Sequence, residues 1–383
     1  MLQILIIFRY KYNLNKNKYD TAIVCGSYGR GGLEFNTVKL ASELIKRGNS
    51  IVVFAKADSS IAQQCRELAI PLMILPNYMK YFDFFNAWRL AFRLKMITCK
   101  NIITSFHPDL SLLANTKLIN QQLNLIYQQQ MHIGRRKKDI FHRIRYSQVD
   151  YWVSPLQLLA DDVLRLSTVR EDQIRIIPLG VDTEKIKPQI SREEYRKKFG
   201  FTENDIVFCI IGRIDSQKGQ LTILRAFDKI KHEKSIKLLI VGEKTVGEGE
   251  EYYNQLLQFI DEKNLSDRVT ITDFEKNVGN VMNAVDCFIL ASSSEAYGMV
   301  TVEAFLSKLP VIASANGGTL ELTQKGQYGR LFKPHNVEDL AAAMQEFVRD
   351  RATFISRADE AYDYAKSRYT LEHECKGIES LLR

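Results

Sequence analysis

The chain has 383 residues, 45% apolar and 26% charged, with 53 Lys and Arg against 45 Asp and Glu and a net charge of +8. That size and balance predict two globular domains of ordinary size and exclude a fibrous or low-complexity polypeptide. The apolar run Met1–Phe8 is too short to span a bilayer and lacks a cleavage pattern, and the six cysteines form no Cys-x-x-Cys; the expectation is a cytoplasmic protein with buried thiols and no zinc site or disulfide frame.

After a polar stretch, 9–19, the segment Thr21–Cys25 reads as a strand, Leu33–Lys46 as a helix and Ile51–Phe54 as the next strand. The turn between the first two holds Gly26, Gly29, Gly31 and Gly32. Glycines there allow a ligand close to the backbone at the start of a helix. The spacing departs from the dinucleotide fingerprint, and Lys56 stands where an acidic residue would hold a ribose. NAD is therefore disfavoured, while an NADP-linked oxidoreductase stays open.

The alternation continues with helix 60–69, strand 72–75, an aromatic and basic helix over 78–95, and strand 101–105 ending at His107. Helix 109–119, strand 124–127, a basic helix, strand 151–154, helix 155–165 and strand 174–177 close the first half. His107 and His132 lie just past strand ends, where open parallel sheets bind ligands. Either is also a common structural hydrogen-bonding group.

Pro178–Pro188 carries the breaker residues of a linker, and a charged helix follows at 191–199. The second half then alternates: strand 206–211, a loop with Gly212, Arg213 and Lys218, helix 220–231, strand 237–241, a Gly- and Glu-rich loop over 243–251, and helix 252–263. Strand 269–272 leads to Asp273 and Phe274; helix 277–283 and strand 284–290 lead to a serine-rich turn. Glu295 stands in that turn and Glu303 in the helix predicted over 299–308. Carboxylates accept hydrogen bonds from sugar hydroxyls, and a helix N-terminus suits a phosphate. The same pattern also fits a capped surface helix with two solvated glutamates. Strand 311–313, the Asn316–Gly318 turn, a short helix and a turn-rich stretch to 340, and helices at 337–350, 352–367 and 370–382 complete the chain.

Charge is uneven: residues 1–150 hold 22 Lys and Arg against 9 Asp and Glu. No nucleic-acid-binding signature is present. The cluster Arg135, Arg136, Lys137 and Lys138, with the aromatic and basic helix upstream, reads as facing an anionic membrane surface. The alternative is a core helix with a solvated basic face.

Gly212 and Arg213 before Lys218 and Gly219, then Glu295 and Glu303 as a Glu-x7-Glu pair, then Pro310 and the glycines 317–318, resemble family 4 of the retaining GT-B glycosyltransferases. The resemblance is specific over about 200–345 and looser over 21–190. It implies an α/β fold of two Rossmann-like doubly wound domains facing across a cleft. The N-terminal acceptor domain would span 1–180 and the nucleotide-sugar domain 181–365, with 366–383 crossing back. By the same likeness Arg213 and Lys218 hold the donor diphosphate, Glu303 the ribose and Glu295 the donor sugar. Gly212, Tyr297, Gly298, Met299 and Val300 would line the phosphate and sugar, and Asp273 and Phe274 the base. Gly31 and Gly32 would approach the donor, His132 would face the reacting centre, and His107 is a candidate for acceptor or donor contact. His132, Arg213, Lys218 and Glu295 are thus the implied catalytic set. Gln128–Met131 before His132 and Asp273 in place of a commoner glycine depart from the pattern.

The expected activity is transfer of a hexosyl or N-acetylhexosaminyl group, with retention, from a UDP- or GDP-sugar to a glycan or lipid-linked acceptor. Cell-surface polysaccharide or lipopolysaccharide synthesis at the inner face of the cytoplasmic membrane is the expected setting. No Asp-x-Asp occurs, so no metal and no cofactor beyond the donor is expected. A carboxylate-pair hydrolase leaves Arg213 and Lys218 without a role. A non-catalytic nucleotide-sugar or glycan-binding protein remains the other alternative.

Overall fold

Thr21–Cys25 (β1) is buried along its whole length, as an apolar run covered on both faces must be. The computed structural model to which it belongs describes residues 18–79, 81–244 and 249–383. The opening apolar run and part of the loop expected at 243–251 lie outside the described residues.

In the first unit β1 is joined by β2 (Ile51–Ala55), β3 (Leu72–Ile74), β4 (Asn101–Thr104), β5 (Asn124–Gln128), β6 (Tyr151–Ser154) and β7 (Ile174–Ile176). All pair in parallel, in the order β3-β2-β1-β4-β5-β6-β7. The chain works outward from β1 on one side, then returns to β4 on the other. The glycine-rich turn after β1 therefore stands at the switch point, where adjacent loops diverge. Val24, Phe54, Ile102, Leu125 and Trp152 belong to one core on this sheet.

The second unit holds β8 (Ile206–Ile211), β9 (Ile236–Val241), β10 (Val269–Thr272), β11 (Cys287–Leu290), β12 (Val311–Ser314) and β13 (Arg330–Phe332), again all parallel, in the order β10-β9-β8-β11-β12-β13. Its switch point lies between β8 and β11. Phe208, Phe227, Ile240, Ile289 and Phe347 are among its core residues.

The division falls between Ile177 and Pro178; residues 156–158 group with the second unit and 375–383 with the first. In the first unit the tail is tied by Arg47 to Glu379 at 2.7 Å, by Asn124 Nδ2 to the Leu381 carbonyl at 2.8 Å, and by the Arg383 amide to Asn101 Oδ1 at 3.0 Å.

Several predicted bounds are corrected. The aromatic helix begins at Phe84, not 78, because Asp83 accepts the Asn86 amide as an N-cap. Strand β11 begins at Cys287, not 284. Ala284 ends the preceding helix, Val278–Ala284, and Asp286 accepts Arg192 Nη2 at 2.8 Å and the Val207 amide at 2.8 Å. The short edge strand β13 lies where only turn and loop were expected; three residues give no readable period.

Candidate functional site

β8 ends at Ile211, and the chain turns through Gly212 and Arg213 into one helical turn, Ser216–Lys218. β11 ends at Leu290 and leads through the serine turn into the helix Met299–Leu306. Because β8 and β11 are neighbours, their loops lie side by side. The Ser293 amide donates to the Gln217 carbonyl at 2.8 Å, and Lys218 Nζ meets Glu295 Oε2 at 3.0 Å. The pair is well shielded, with 26% and 15% of the two side chains exposed. The loop after β12 adds a third wall: the Gly318 amide donates to the Glu295 carbonyl at 2.9 Å, and Asn316 Nδ2 to the Ser292 carbonyl at 2.8 Å.

Gly298 starts the Met299–Leu306 helix from a left-handed conformation, φ +90°, which a side chain would strain. The first amides of a helix, here those of Met299 and Val300, have no intrahelical acceptor, and the dipole favours an anion beside them. Tyr297 is buried, and its hydroxyl donates to the Leu179 carbonyl at 2.7 Å. Its side chain is therefore an anchor for the loop, and burial holds its phenol well above the usual range. Ser292 Oγ, Thr301 Oγ1, Asn316 Oδ1 and Thr319 Oγ1 are buried with no hydrogen-bond partner. Such unmet capacity in one corner is what a polar ligand or ordered water satisfies.

Arg213 stands at the edge of this corner, its side chain 69% exposed and its Nη2 3.9 Å from Asp215 Oδ2. Its carbonyl accepts Gln220 Nε2 at 2.8 Å, which fixes the backbone while leaving the guanidinium at the surface. Glu303 is half-buried in the second turn of its helix. Asp273 and Phe274 follow β10, two strands from β8, and both are exposed. They share the strand-end side of the sheet with Lys218 and Glu295 but make no recorded hydrogen bond to either.

The remaining candidates belong to the first unit. The Gly31 amide donates to Glu34 Oε2 at 2.8 Å, and the other Glu34 oxygen accepts Ser27 Oγ. The Gly26 amide donates to Asp109 Oδ2 at 2.8 Å, while Asp109 Oδ1 accepts the Tyr78 hydroxyl. Lys56 is buried, donating to the Pro76 carbonyl at 2.6 Å and Asn77 Oδ1 at 3.2 Å. The chain's own carboxylates thus fill the glycine turn, and Lys56 is spent on its neighbours. A pyrophosphate in this turn would face two carboxylates, so the structure removes the support for an NADP site. Gly32 begins the helix Gly32–Lys46.

His107 Nε2 lies 2.9 Å from the Tyr146 hydroxyl and 3.3 Å from Lys137 Nζ. Lys137 is therefore turned to His107 instead of outward, and its amide donates to the Leu166 carbonyl at 2.7 Å. Arg135, Arg136 and Lys138 are exposed. His132 is partly exposed, with Nδ1 3.6 Å from Asp162 Oδ2. Among the described residues, no group of three His, Cys, Asp or Glu side chains is placed to hold a metal.

Sequence reasoning missed Glu34 and Asp109. Glu34 carried a signal, an acid three residues after a helix-starting glycine. Asp109 carried none, since it reaches Gly26 only through the β1–β4 pairing.

These two parallel sheets make an α/β protein of the GT-B class. The chain belongs to the glycosyl transferases of group 1: residues 191–368 match that family's profile, and residues 30–185 match the profile of Glycosyltransferase Family 4. It is similar to the D-inositol 3-phosphate glycosyltransferase of Mycolicibacterium smegmatis, with 29% identity over 213 residues, 55% of this chain and 48% of that one. It is also similar to the mannosylfructose-phosphate synthase of Agrobacterium fabrum, with 25% identity over 218 residues, 55% and 48% of the two chains. The match spans about half the length of these curated relatives. Among solved structures, a glycosyltransferase from Rickettsia africae superposes with TM-score 0.85 at 20% identity, covering 95% of this chain and 98% of that one. Anabaena HepE in complex with UDP superposes with TM-score 0.84 at 20% identity, covering 95% and 99%. At those identities the structures speak for the fold.

Proposed function

We propose that the protein transfers a hexosyl or N-acetylhexosaminyl group from a UDP- or GDP-sugar to a glycan or lipid-linked acceptor, in the synthesis of a surface polysaccharide or lipopolysaccharide. The observation that carries this is the Lys218–Glu295 pair beside the open N-terminus of the Met299–Leu306 helix. Breaking a nucleotide–sugar bond leaves an oxocarbenium-like sugar and an anionic diphosphate, and preorganised positive potential at the diphosphate lowers that barrier. Lys218, Arg213 and the helix amides would supply it. Glu295 would accept hydrogen bonds from sugar hydroxyls and Glu303 from the ribose. Cations and amides at the leaving group suit a metal-independent reaction, and the family likeness implies retention, with the departing phosphate taking the acceptor proton on the face it leaves. His132 would face the reacting centre, Gly31 and Gly32 would approach the donor phosphates and the acceptor, and Asp273 and Phe274 would sit beside the base. Two relatives are named as a glycosyltransferase and a sugar-phosphate synthase, which supports sugar transfer; HepE was solved with UDP and with UDP-glucose, which supports a nucleotide-linked donor.

Thermal melting with UDP, GDP and NADP tests the reading. A ligand at a hundred times its dissociation constant adds about 2.7 kcal/mol, a shift of a few degrees for a chain of this size. A shift with UDP or GDP, together with sugar release from the matching donor that a chelator leaves unchanged, is the expected result. A shift with NADP alone would overturn it.

A further inference from the structure

We propose that the first unit docks on an anionic lipid bilayer through one composite surface built from residues 81–96 and 138–144. The helix Phe84–Met96 buries Ala87, Leu90, Ala91 and Leu94 on its inner face. Its outer face, where an amphipathic helix carries polar groups, instead exposes Phe84, Phe85, Trp88, Phe92 and Met96. Phe85 is 66% exposed and Trp88 57%. The second segment, the helix Ile140–Ser147, is inverted: Arg145 and Tyr146 are buried while Ile140, Phe141 and Ile144 are exposed. The fold joins the two segments where the Phe82 and Phe141 rings meet edge to face at 5.7 Å. That contact brings the exposed apolar side chains of the two segments together, and a joined apolar area marks an interaction site.

Cations accompany it. Arg89 sits over the Phe85 ring at 5.5 Å, and Lys95, Arg135, Arg136, Lys138 and Arg143 are exposed within or beside the same two stretches of sequence. Residues 78–96 and 135–147 contain only two acids, Asp83 and Asp139. Both are occupied as helix caps, Asp83 on the Asn86 amide and Asp139 on the amides of Phe141 and His142. Exposed aromatics accompanied by exposed cations complement an anionic headgroup layer over acyl chains. A second copy of this face would bring like charges together around any symmetric contact. Among the described residues no helix is long and apolar enough to cross a membrane, so the contact would be interfacial.

The test is co-sedimentation of the full chain with vesicles of phosphatidylcholine alone, or of phosphatidylcholine and phosphatidylglycerol in equal parts, at low and high salt. Trp88 is the reporter, since the chain's other tryptophan, Trp152, is buried. Binding to the mixed vesicles, a blue shift and quenching by brominated lipid are expected. Each of Arg135→Gln, Arg136→Gln and Lys138→Gln should weaken partition about fivefold and flatten its salt dependence. Phe85→Ser with Phe141→Ser should weaken partition further while leaving the melting temperature unchanged, because both side chains are exposed. Equal binding to neutral vesicles, no binding to either, or sedimentation without quenching would each overturn the proposal. So would a lipid-free dimer that Trp88→Ser dissolves, because a second copy would then cover the face. The donor site takes no part, and Glu295→Gln should bind vesicles as the parent does, so this proposal and the transferase reading fail separately.

Discussion

The Glu295 carboxylate lies 3.0 Å from Lys218 Nζ, two side chains delivered by loops after neighbouring strands. The carboxylate holds the lysine at the corner where, on the proposed reading, a diphosphate would sit. On the proposed reading, Lys218→Ala removes a cation from the leaving group, and it leaves Glu295 without its ion-pair partner. Turnover of the nucleotide-sugar should fall about a hundredfold or more, with the melting temperature little changed. Glu295→Gln keeps the shape and frees the lysine. It should cost turnover through lost sugar contacts while nucleoside diphosphate binds at least as tightly, as measured by calorimetry. Unchanged turnover in both variants would remove the pair from the mechanism.

Gly317 tests how the third wall is built. It has φ +48°, and a Cβ there would run into the Glu295 carbonyl oxygen. Gly317→Ala should destabilise the protein by about 1–3 kcal/mol in urea unfolding and displace the Glu295 loop, weakening nucleotide binding. Gly32→Ala is the contrast, because a Cβ there meets nothing within 4 Å, and its stability should hold or rise.

Asp286 supports the site from below. It accepts Arg192 Nη2 at 2.8 Å, Arg351 Nη2 at 3.1 Å, Arg196 Nη1 at 3.4 Å and the Val207 amide at 2.8 Å. Arg196 is itself fully buried. Asp286→Ala would leave that guanidinium, which also donates to the Thr202, Ala284 and Asp205 carbonyls, buried without a carboxylate partner and loosen the β8–β11 junction. A loss of about 3–5 kcal/mol is expected in chemical denaturation, and a loss below 1 kcal/mol would show the network to be dispensable.

Asp109 makes stability depend on pH. Burial raises its pKa from 3.8 to about 6, against the lowering effects of Tyr78, the Gly26 amide and Lys56. In the unfolded chain it ionises near 4, so between about pH 4 and 6 the folded state binds the extra proton. Its contribution therefore falls as pH rises through that window and stays low above it, a cost of about 3 kcal/mol. Asp109→Asn keeps an acceptor for Gly26 and cannot ionise. Comparing urea unfolding at pH 5 and pH 7, the parent should lose stability relative to this variant. Parallel behaviour would show that Asp109 is not the titrating group.

Much of the architecture was legible because both sheets are parallel and buried on both faces. Ile206–Ile211 and Asn124–Tyr127 stand out as short apolar runs between turn residues, and the alternation with helices implied two doubly wound sheets. Glu295, Glu303, Arg213 and Lys218 were legible as candidates because each follows a predicted strand, where such sheets bind ligands. β13 and the start of β11 were not, since three-residue strands and a buried aspartate leave no period to read.

The sequence by itself determined which stretches are buried, which carry charge, and which loops could host an anion. Only the tertiary structure decided which of them meet. Lys218 reaches Glu295 through β8 pairing with β11, Glu34 and Asp109 occupy the glycine turn, and Lys137 turns to His107 and away from the surface. The sequence reads the aromatic helix as membrane-facing, with a core helix as the alternative, and only packing shows which side chains do which: Leu90 and Leu94 fill the core while Phe85 and Trp88 remain outside. The reason is physical: a pattern of polarity records each residue's preference for burial, whereas a contact between distant residues depends on strand order, which local preference does not encode.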